Sequence, residues 1–228
     1  MEAAELAVRL QGAGVVVKEV ESWKARRMRK MIPQTYDFSC GAAALATVMK
    51  YHFGYEMTEK DAIMGMIKTG NLEELHRYGF SLFNMKSFCE DLKYQARGFH
   101  VPNVNVLKRL PMPLIVLIST GQYNHFVVIR YVDDSYVHIS DPSWGNRRMS
   151  LQDFDQSWSQ KVIFVITGPF VVSPEGLYQE VSDMKLPLYD ELRNGIPGML
   201  DRHFAMDYSQ AVLFNYRPQN IGLPFYGR

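Results

Sequence analysis

The apolar positions of the chain change their period partway along it. Up to Gly98 they recur at helical intervals, and from Leu114 onward they alternate or run together as strands do. In the first part, Ala42 to Tyr51 is rich in Ala, Leu and Met and lacks Pro, which predicts a helix beginning at or just after Cys40. Thr58, Glu59, Lys60 and Asp61 read as a second helix start, with Thr58 as cap and Asp61 at the third position. A third helix fits Asn71 to Tyr78. Met85, Phe88, Cys89 and Leu92 fall on one helical stripe, predicting a helix from Met85 to Tyr94 with Gly98 as its left-handed stop. A short β-rich run, Val15 to Val20, precedes all of these. In the second part, Leu114 to Ser119, His125 to Val132, Tyr136 to Ser140 and Val162 to Ile166 read as strands, with a short helix starting over Ser150 to Phe154. Helices first and a mostly antiparallel sheet second give an α+β domain.

Two places in this pattern carry chemistry. The first is Cys40, where an irregular segment containing Pro33 and Asp37 turns into a helix. The unpaired N–H groups and positive dipole end of a helix favour thiolate over thiol, and Gly41 leaves room for close approach. Upstream, Gln34 carries an amide able to donate to an oxyanion beside the thiol, with the Cys40 backbone N–H as the other donor. The second place is the predicted hairpin: a buried strand from Asn124 to Val132 with His125 at its start, a turn at Asp133-Asp134-Ser135, and a return from Tyr136 to Ser140 closed by Asp141-Pro142. An antiparallel hairpin returns such ends to one edge, so His125 and Asp141 are expected within reach of each other. A thiolate nucleophile needs a base and a group that orients the base, distant in sequence and close in space. Histidine would take the Cys40 proton, and Asp141 would hold the imidazole tautomer.

With these residues in place the chain resembles the bacteriocin-processing, double-glycine-leader cysteine peptidases, a papain-like family. Three blocks carry the resemblance: Gln34 through Leu45; His125-Phe126-Val127-Val128; and Asp141-Pro142-Ser143 followed by Gly145 and by Met149 to Phe154. It runs from Met31 to Thr167 and implies a papain-like fold with N-terminal helices packed on the sheet. It also implies Cys40 as nucleophile, His125 as base and acid, Asp141 as orienter and Gln34 as oxyanion donor, on opposite walls of a cleft. The implied activity is thiol endopeptidase cleavage of a peptide or leader after small residues, linked to export or surface assembly. A polypeptide substrate and a secretion-system or surface-assembly partner follow from the same kinship. One position departs from the family pattern: Ser39 stands where the family has Asp before the cysteine. Its oxygen is expected to cap the helix instead. A non-catalytic leader-binding module and a papain-like acyltransferase are the alternatives. The four intact site residues count against the first, and sequence does not separate the second from a hydrolase.

Composition narrows the picture further. The 228 residues are 47% hydrophobic and carry 25 Lys and Arg against 24 Asp and Glu, a balance that argues against a dedicated nucleic-acid binder. The one local excess, Lys24, Arg26, Arg27, Arg29 and Lys30, reads as a solvated strand or loop face, the sharper alternative being a site for acidic substrate residues or a membrane surface. The most apolar run, Leu110 to Ile118, contains two prolines and falls short of the ~20 residues that span a bilayer. No phosphate-binding glycine loop is present, so a free-standing peptidase is expected rather than an exporter with an ATPase. His, Cys, Asp and Glu do not gather at zinc spacing, and no metal or cofactor is expected. With two cysteines there is no disulfide framework, and Cys89 reads as core. His52 lies roughly 18 Å along the helix from Cys40, too far to serve as base. His76 and His100 fall in surface-like contexts, and His138, on the returning strand, is the competitor to His125. Met1 to Gln11 lacks the apolar core of a signal peptide. The kinship points to an extracytoplasmic site after signal removal, with the cytoplasm left open. Three segments result: an N-terminal extension over 1–30, the peptidase domain over 31–167, and an aromatic, Pro-rich extension over 168–228 expected to wrap the domain or to shape substrate access.

Overall fold

The computed structural model describes residues 4–10, 14–20, 22–68, 75, 79–110, 112–121 and 123–168. The helix predicted over Asn71 to Tyr78 lies outside them except at Leu75, as does the tail after Gly168. A hairpin comes first, β1 (Ala4–Leu10) paired antiparallel with β2 (Gly14–Val20), so the predicted run from Val15 is the second strand of a pair. Helices α1 (Trp23–Arg27), α2 (Cys40–Tyr51), α3 (Glu59–Ile67) and α4 (Leu82–Asp91) follow. Next come β3 (Gln95–His100), a 3-10 helix (Val104–Arg109), β4 (Leu114–Ser119) and β5 (Asn124–Val132). The order ends with β6 (Tyr136–Asp141), β7 (Gly145–Ser150), α5 (Leu151–Ser157) and β8 (Val162–Thr167). Six strands form one sheet in the order β3-β8-β4-β5-β6-β7, every neighbouring pair antiparallel.

Alternation along the strands builds two cores, one on each face of the sheet. Ile115, Phe126, Val128, Phe164 and Ile166 point to one side and pack with Ala42, Leu45, Met49, Met66, Met85 and Cys89 of the helical layer. Leu114, Val116, Val127, Ile129, Ile163 and Val165 point to the other and pack with Leu107 of the 3-10 helix and with Phe154 and Trp158. Burying both faces explains why these strands read as nearly continuous apolar runs. Phe154 and Trp158 are completely buried, and each such side chain contributes roughly 2 to 3 kcal/mol.

Local signals set the helix ends. Thr58 and Asp61 close a capping box on α3, as the sequence predicts, and Ser81 and Asn84 close another on α4. That second box moves the start of α4 ahead of Met85. The helix stops at Lys93, in the left-handed conformation with φ 68°, whose successor Tyr94 donates to the Cys89 carbonyl at 2.9 Å. Gly98 is therefore a residue of β3 and not a helix stop. Two more elements depart from expectation. The basic run from Lys24 lies partly in α1, begun by the Ser22 hydroxyl accepting from the Ala25 N–H at 3.1 Å, rather than in a strand or loop. β7, Arg-rich and without β-branched residues, is a strand because the tight turn after Asp141 folds it back on β6. Tight packing joins α3 to α4, where a methyl on Gly65 would stand 2.1 Å from the Phe88 ring.

Candidate active site

The nucleophile candidate opens α2 on a constrained loop. Cys40 is partly exposed at the first position of the helix, and Gly41 behind it gives the space expected of it: a methyl there would lie 2.6 Å from Met85 Cε. Phe38, two residues earlier, holds φ 64°, a left-handed conformation costing a bulky residue about 1 kcal/mol, and its ring projects into solvent. Anchors on both sides hold the loop in this shape. The Gln34 N–H donates to the Pro142 carbonyl at 3.0 Å, and the Ser143 hydroxyl donates to Gln34 Oε1 at 2.8 Å. On the other side, buried Glu59 in the first turn of α3 accepts from the Thr35 N–H at 2.7 Å.

Ser39 makes no cap bond to α2, contrary to expectation. Its backbone, at φ −91° and ψ 8°, is already turned toward the helix, and its hydroxyl faces Tyr36 O at 2.5 Å and Glu59 Oε1 at 2.6 Å. A carboxylate arriving from α3 has drawn the side chain away from the helix end.

The sheet supplies the other partners. His125 stands at the start of β5 and Asp141 at the end of β6, and the hairpin brings them together: His125 Nε2 lies 2.7 Å from Asp141 Oδ1. The Cys40 side chain lies near enough to the same ring to raise its pKa. With Nε2 taken by Asp141, the nitrogen left for sulfur is Nδ1. The structure thus brings Cys40, His125 and Asp141 together. Gln34 is tied to the Asp141 turn, its Nε2 making only a long 3.4 Å contact to Tyr36 O. His138 goes elsewhere, stacked on Tyr131 at 4.0 Å and bonded to the turn residue Asp133 at 2.8 Å. His52 sits at the C-terminal end of α2.

Burial acts against a charged ring on His125, but the bond to Asp141, the bond to Cys40 and the charges of both raise its pKa to about 9. Burial likewise pushes the Asp141 carboxyl up, yet the His125 bond, the charges of His125 and Arg147 and the Ser143 N–H hold it below its ordinary value. At neutral pH the ring is therefore an imidazolium beside a carboxylate, the state in which it can counter a thiolate and later give a proton to a leaving group. Among the described residues no three His, Cys, Asp or Glu side chains cluster as a metal requires. Nor is any helix there long and apolar enough to cross a membrane.

Two side chains that sequence reasoning missed belong to this construction. Glu59 was visible only as part of a capping sequence, and nothing in its spacing tied it to the nucleophile loop. Arg147 on β7 contacts Asp141 Oδ2 through Nε at 3.0 Å and Nη2 at 2.9 Å. Its signal was the register of a hairpin whose second strand went unrecognised.

Residues 28–169, more than half of the chain, match the Peptidase C39 family, and the chain belongs to it. The protein is a cysteine peptidase. Over 175 residues it is 35% identical to "Probable functional amyloid protease FapD" of Pseudomonas aeruginosa, a match covering 74% of this chain and 76% of that protein. Over 139 residues it is 30% identical to the lactococcin-G-processing and transport ATP-binding protein LagD of Lactococcus lactis, covering 60% of this chain but 19% of the relative. Among solved structures, the peptidase domain of Streptococcus ComA superposes with a TM-score of 0.51 at 22% identity, over 61% of this chain and 98% of that domain. That likeness shows the papain-like α+β fold.

Proposed function

We propose that the protein is a thiol endopeptidase whose catalytic triad is Cys40, His125 and Asp141, with Gln34 donating to the oxyanion. In this reading it cuts a polypeptide after small residues of the Gly-Gly type in the course of protein export or surface assembly. The observation that carries the reading is one imidazole held at 2.7 Å by a carboxylate with no exposed surface, with the Cys40 side chain near enough to raise its pKa. Cys40 Sγ attacks the carbonyl carbon as a thiolate, and the electron pair displaced to oxygen accepts from the Cys40 N–H and Gln34 Nε2. The His125 imidazolium passes its proton to the amine nitrogen as the C–N bond breaks, leaving a thioester. Neutral His125 then takes a proton from water, whose oxygen attacks the thioester. The C–S bond breaks, the new carboxyl terminus leaves, and the thiolate-imidazolium pair is restored.

The preference for small residues rests on kinship, and the rim of the site bears aromatic rings. Tyr36 and Phe38 before the nucleophile, Tyr123 before the base and Trp144 after the orienter are 55%, 60%, 52% and 60% exposed. The Tyr123 ring stands edge-on to His125 with centroids 6.0 Å apart. Exposed rings on the segments that bear the site residues offer apolar contact to flanking substrate side chains. A relative named for processing lactococcin G and another named as a functional amyloid protease support a secreted polypeptide as the substrate. The test is mass spectrometry of synthetic peptides carrying Gly-Gly or Phe-Phe at the cut site, incubated with the full chain and with Cys40→Ala. Cleavage after Gly-Gly by the wild type alone is expected. Cleavage by Cys40→Ala, or equal cleavage of the Phe-Phe peptide, would overturn the reading.

A further inference from the structure

Asp141 is completely buried, so both of its oxygens need donors. Oδ1 receives His125 Nε2 at 2.7 Å and the N–H groups of Ser143 and Trp144 at 3.0 and 3.2 Å. Oδ2 receives both nitrogens that Arg147 presents, Nε at 3.0 Å and Nη2 at 2.9 Å. The hairpin register places the guanidinium there: Asp141 is opposite Gly145 and Ile139 opposite Arg147, so Asp141 and Arg147 are diagonal neighbours on one face of the β6-β7 pair. The turn joining them cannot drift, because Gly145, at φ 85°, packs against the Arg27 main chain, where any side chain would meet the carbonyl oxygen at 2.8 Å. Asn146 Nδ2 donates to Arg29 O at 2.7 Å as a second tie.

Arg147 also lines a cavity of about 240 Å³ with Arg130, His138 and Arg148. Its carboxylate partner is the one at the orienter. We propose that Arg147 is a positioning residue of the catalytic unit. It acts through Asp141, holding it by Oδ2 in the rotamer that offers Oδ1 to His125. Without it the carboxylate is held through Oδ1 alone, by His125 and the Ser143 and Trp144 N–H groups, and can tilt about that oxygen so that its angle to the imidazole changes. A lysine can supply the charge but not two nitrogens in a fixed plane, so the geometry asks for arginine in particular.

This inference rests on the triad reading, and the experiment separates the two. Iodoacetamide alkylation of Cys40 at pH 7.5, with Cys89 in the same sample as internal reference, reads the activated pair without any substrate. It is run on the wild type, Arg147→Met, Arg147→Lys, Asp141→Asn and the double variant Arg147→Met/Asp141→Asn. Asp141→Asn and Arg147→Met are each expected to slow Cys40 alkylation about tenfold, with Arg147→Lys between them and the wild type. In the Asp141→Asn background Arg147→Met should change nothing further, because a residue acting through the carboxylate has lost its object. A purely structural arginine would lower the melting temperature in both backgrounds and the alkylation rate in neither, or cost the same factor in both. Either result overturns the positioning role. If Asp141→Asn itself reacts as the wild type does, the triad reading fails first. Should Arg147→Met not fold, Arg147→Lys with and without Asp141→Asn gives the same two ratios.

Discussion

A cysteine and a histidine stand toward each end of α2, and the two sets behave in opposite ways. At one pole Cys40 opens α2 beside His125; at the other His52 ends α2 near Phe53, whose ring meets Tyr94, while Cys89 lies within the same core. The two histidines are equally hidden, 2% and 3% exposed. Yet His125 is raised to about 9 and His52 is lowered to about 4. Burial opposes the charged form at both. The difference is the company: His125 has a carboxylate and a thiol, whereas among the described residues neither ring nitrogen of His52 has a hydrogen-bond partner. Cys89, desolvated among aliphatic side chains and next to the charge of Glu90, is pushed up to about 12. Reactivity in this fold comes from partners delivered across two layers, and burial alone makes inert groups.

The sharpest break between the poles is removal of each thiol. On the proposed triad, Cys40→Ala should lower kcat by at least about 10⁴-fold with an unchanged melting curve, since a nucleophile has no substitute. Cys89→Ala should leave kcat within about twofold and cost on the order of 1 to 2 kcal/mol from the vacated core space. Peptide cleavage and chemical denaturation on both variants decide it; comparable activity losses would erase the contrast.

Next in size is the carboxylate that makes His125 differ from His52. Asp141→Asn should reduce kcat by about 10² to 10⁴-fold, as a neutral amide no longer stabilises the imidazolium. The pH profile carries the sign. Activity that needs a charged His125 is present below its pKa and fades as pH rises through about 9, so the alkaline limb of kcat/KM falls there in the wild type. Since the Asp141 bond is the largest influence raising that pKa, the limb in Asp141→Asn must move to lower pH. A limb that stays in place would detach Asp141 from the base.

These two poles were unequally legible in the sequence. Cys40, His125 and Asp141 stood out because each sits at an element boundary that propensity and turn chemistry mark: a proline-bounded helix start, and the two ends of a hairpin. The central strands β4, β5 and β8 are readable for the same reason that they are stable, being apolar on both faces, and β6 is readable from the turn before it and its alternating Val137 and Ile139. What failed was anything decided by tertiary pairing. β3 and β7 have weak strand composition and exist because a neighbour offers hydrogen bonds. Arg147 was invisible with β7 unread. Ser39 was assigned a local cap because the nearest donors are local, and Glu59, twenty residues on, was the stronger attraction. Helix spacing puts His52 too far from Cys40 to serve as base, and its burial comes from packing beside Phe53 that no local pattern marks.

That buried state gives the third contrast. His52 has a folded pKa of about 4 against an ordinary 6.5, so its neutral form contributes stability that is fully present above 6.5 and lost as pH falls through 4. The loss on moving from pH 7 to pH 4 amounts to about 3 kcal/mol. His125 runs the other way, its contribution present below 6.5 and lost as pH rises through about 9. His52→Leu should therefore flatten the acid side of a denaturation-against-pH curve and leave the alkaline side alone. An acid side as steep as that of the wild type would show that other groups set it.

The smallest effect lies at the reactive pole and concerns how its loop is held. If Ser39 were a helix cap, Ser39→Ala would cost about 1 kcal/mol whatever stood at residue 59. The structure instead gives the hydroxyl two acceptors, Tyr36 O at 2.5 Å and Glu59 Oε1 at 2.6 Å, and one proton to share between them. A buried carboxylate that also takes the Thr35 N–H at 2.7 Å is the stronger claimant, because a charged acceptor gains more from a donor than a neutral carbonyl does. Ser39→Ala should then cost about 1 to 2 kcal/mol, and most of that cost should vanish in a Glu59→Gln background. Urea denaturation of the two single variants and the double closes the cycle. An undiminished cost in the Glu59→Gln background would assign the hydroxyl to Tyr36, and the loop before Cys40 would be held by its own backbone rather than by α3.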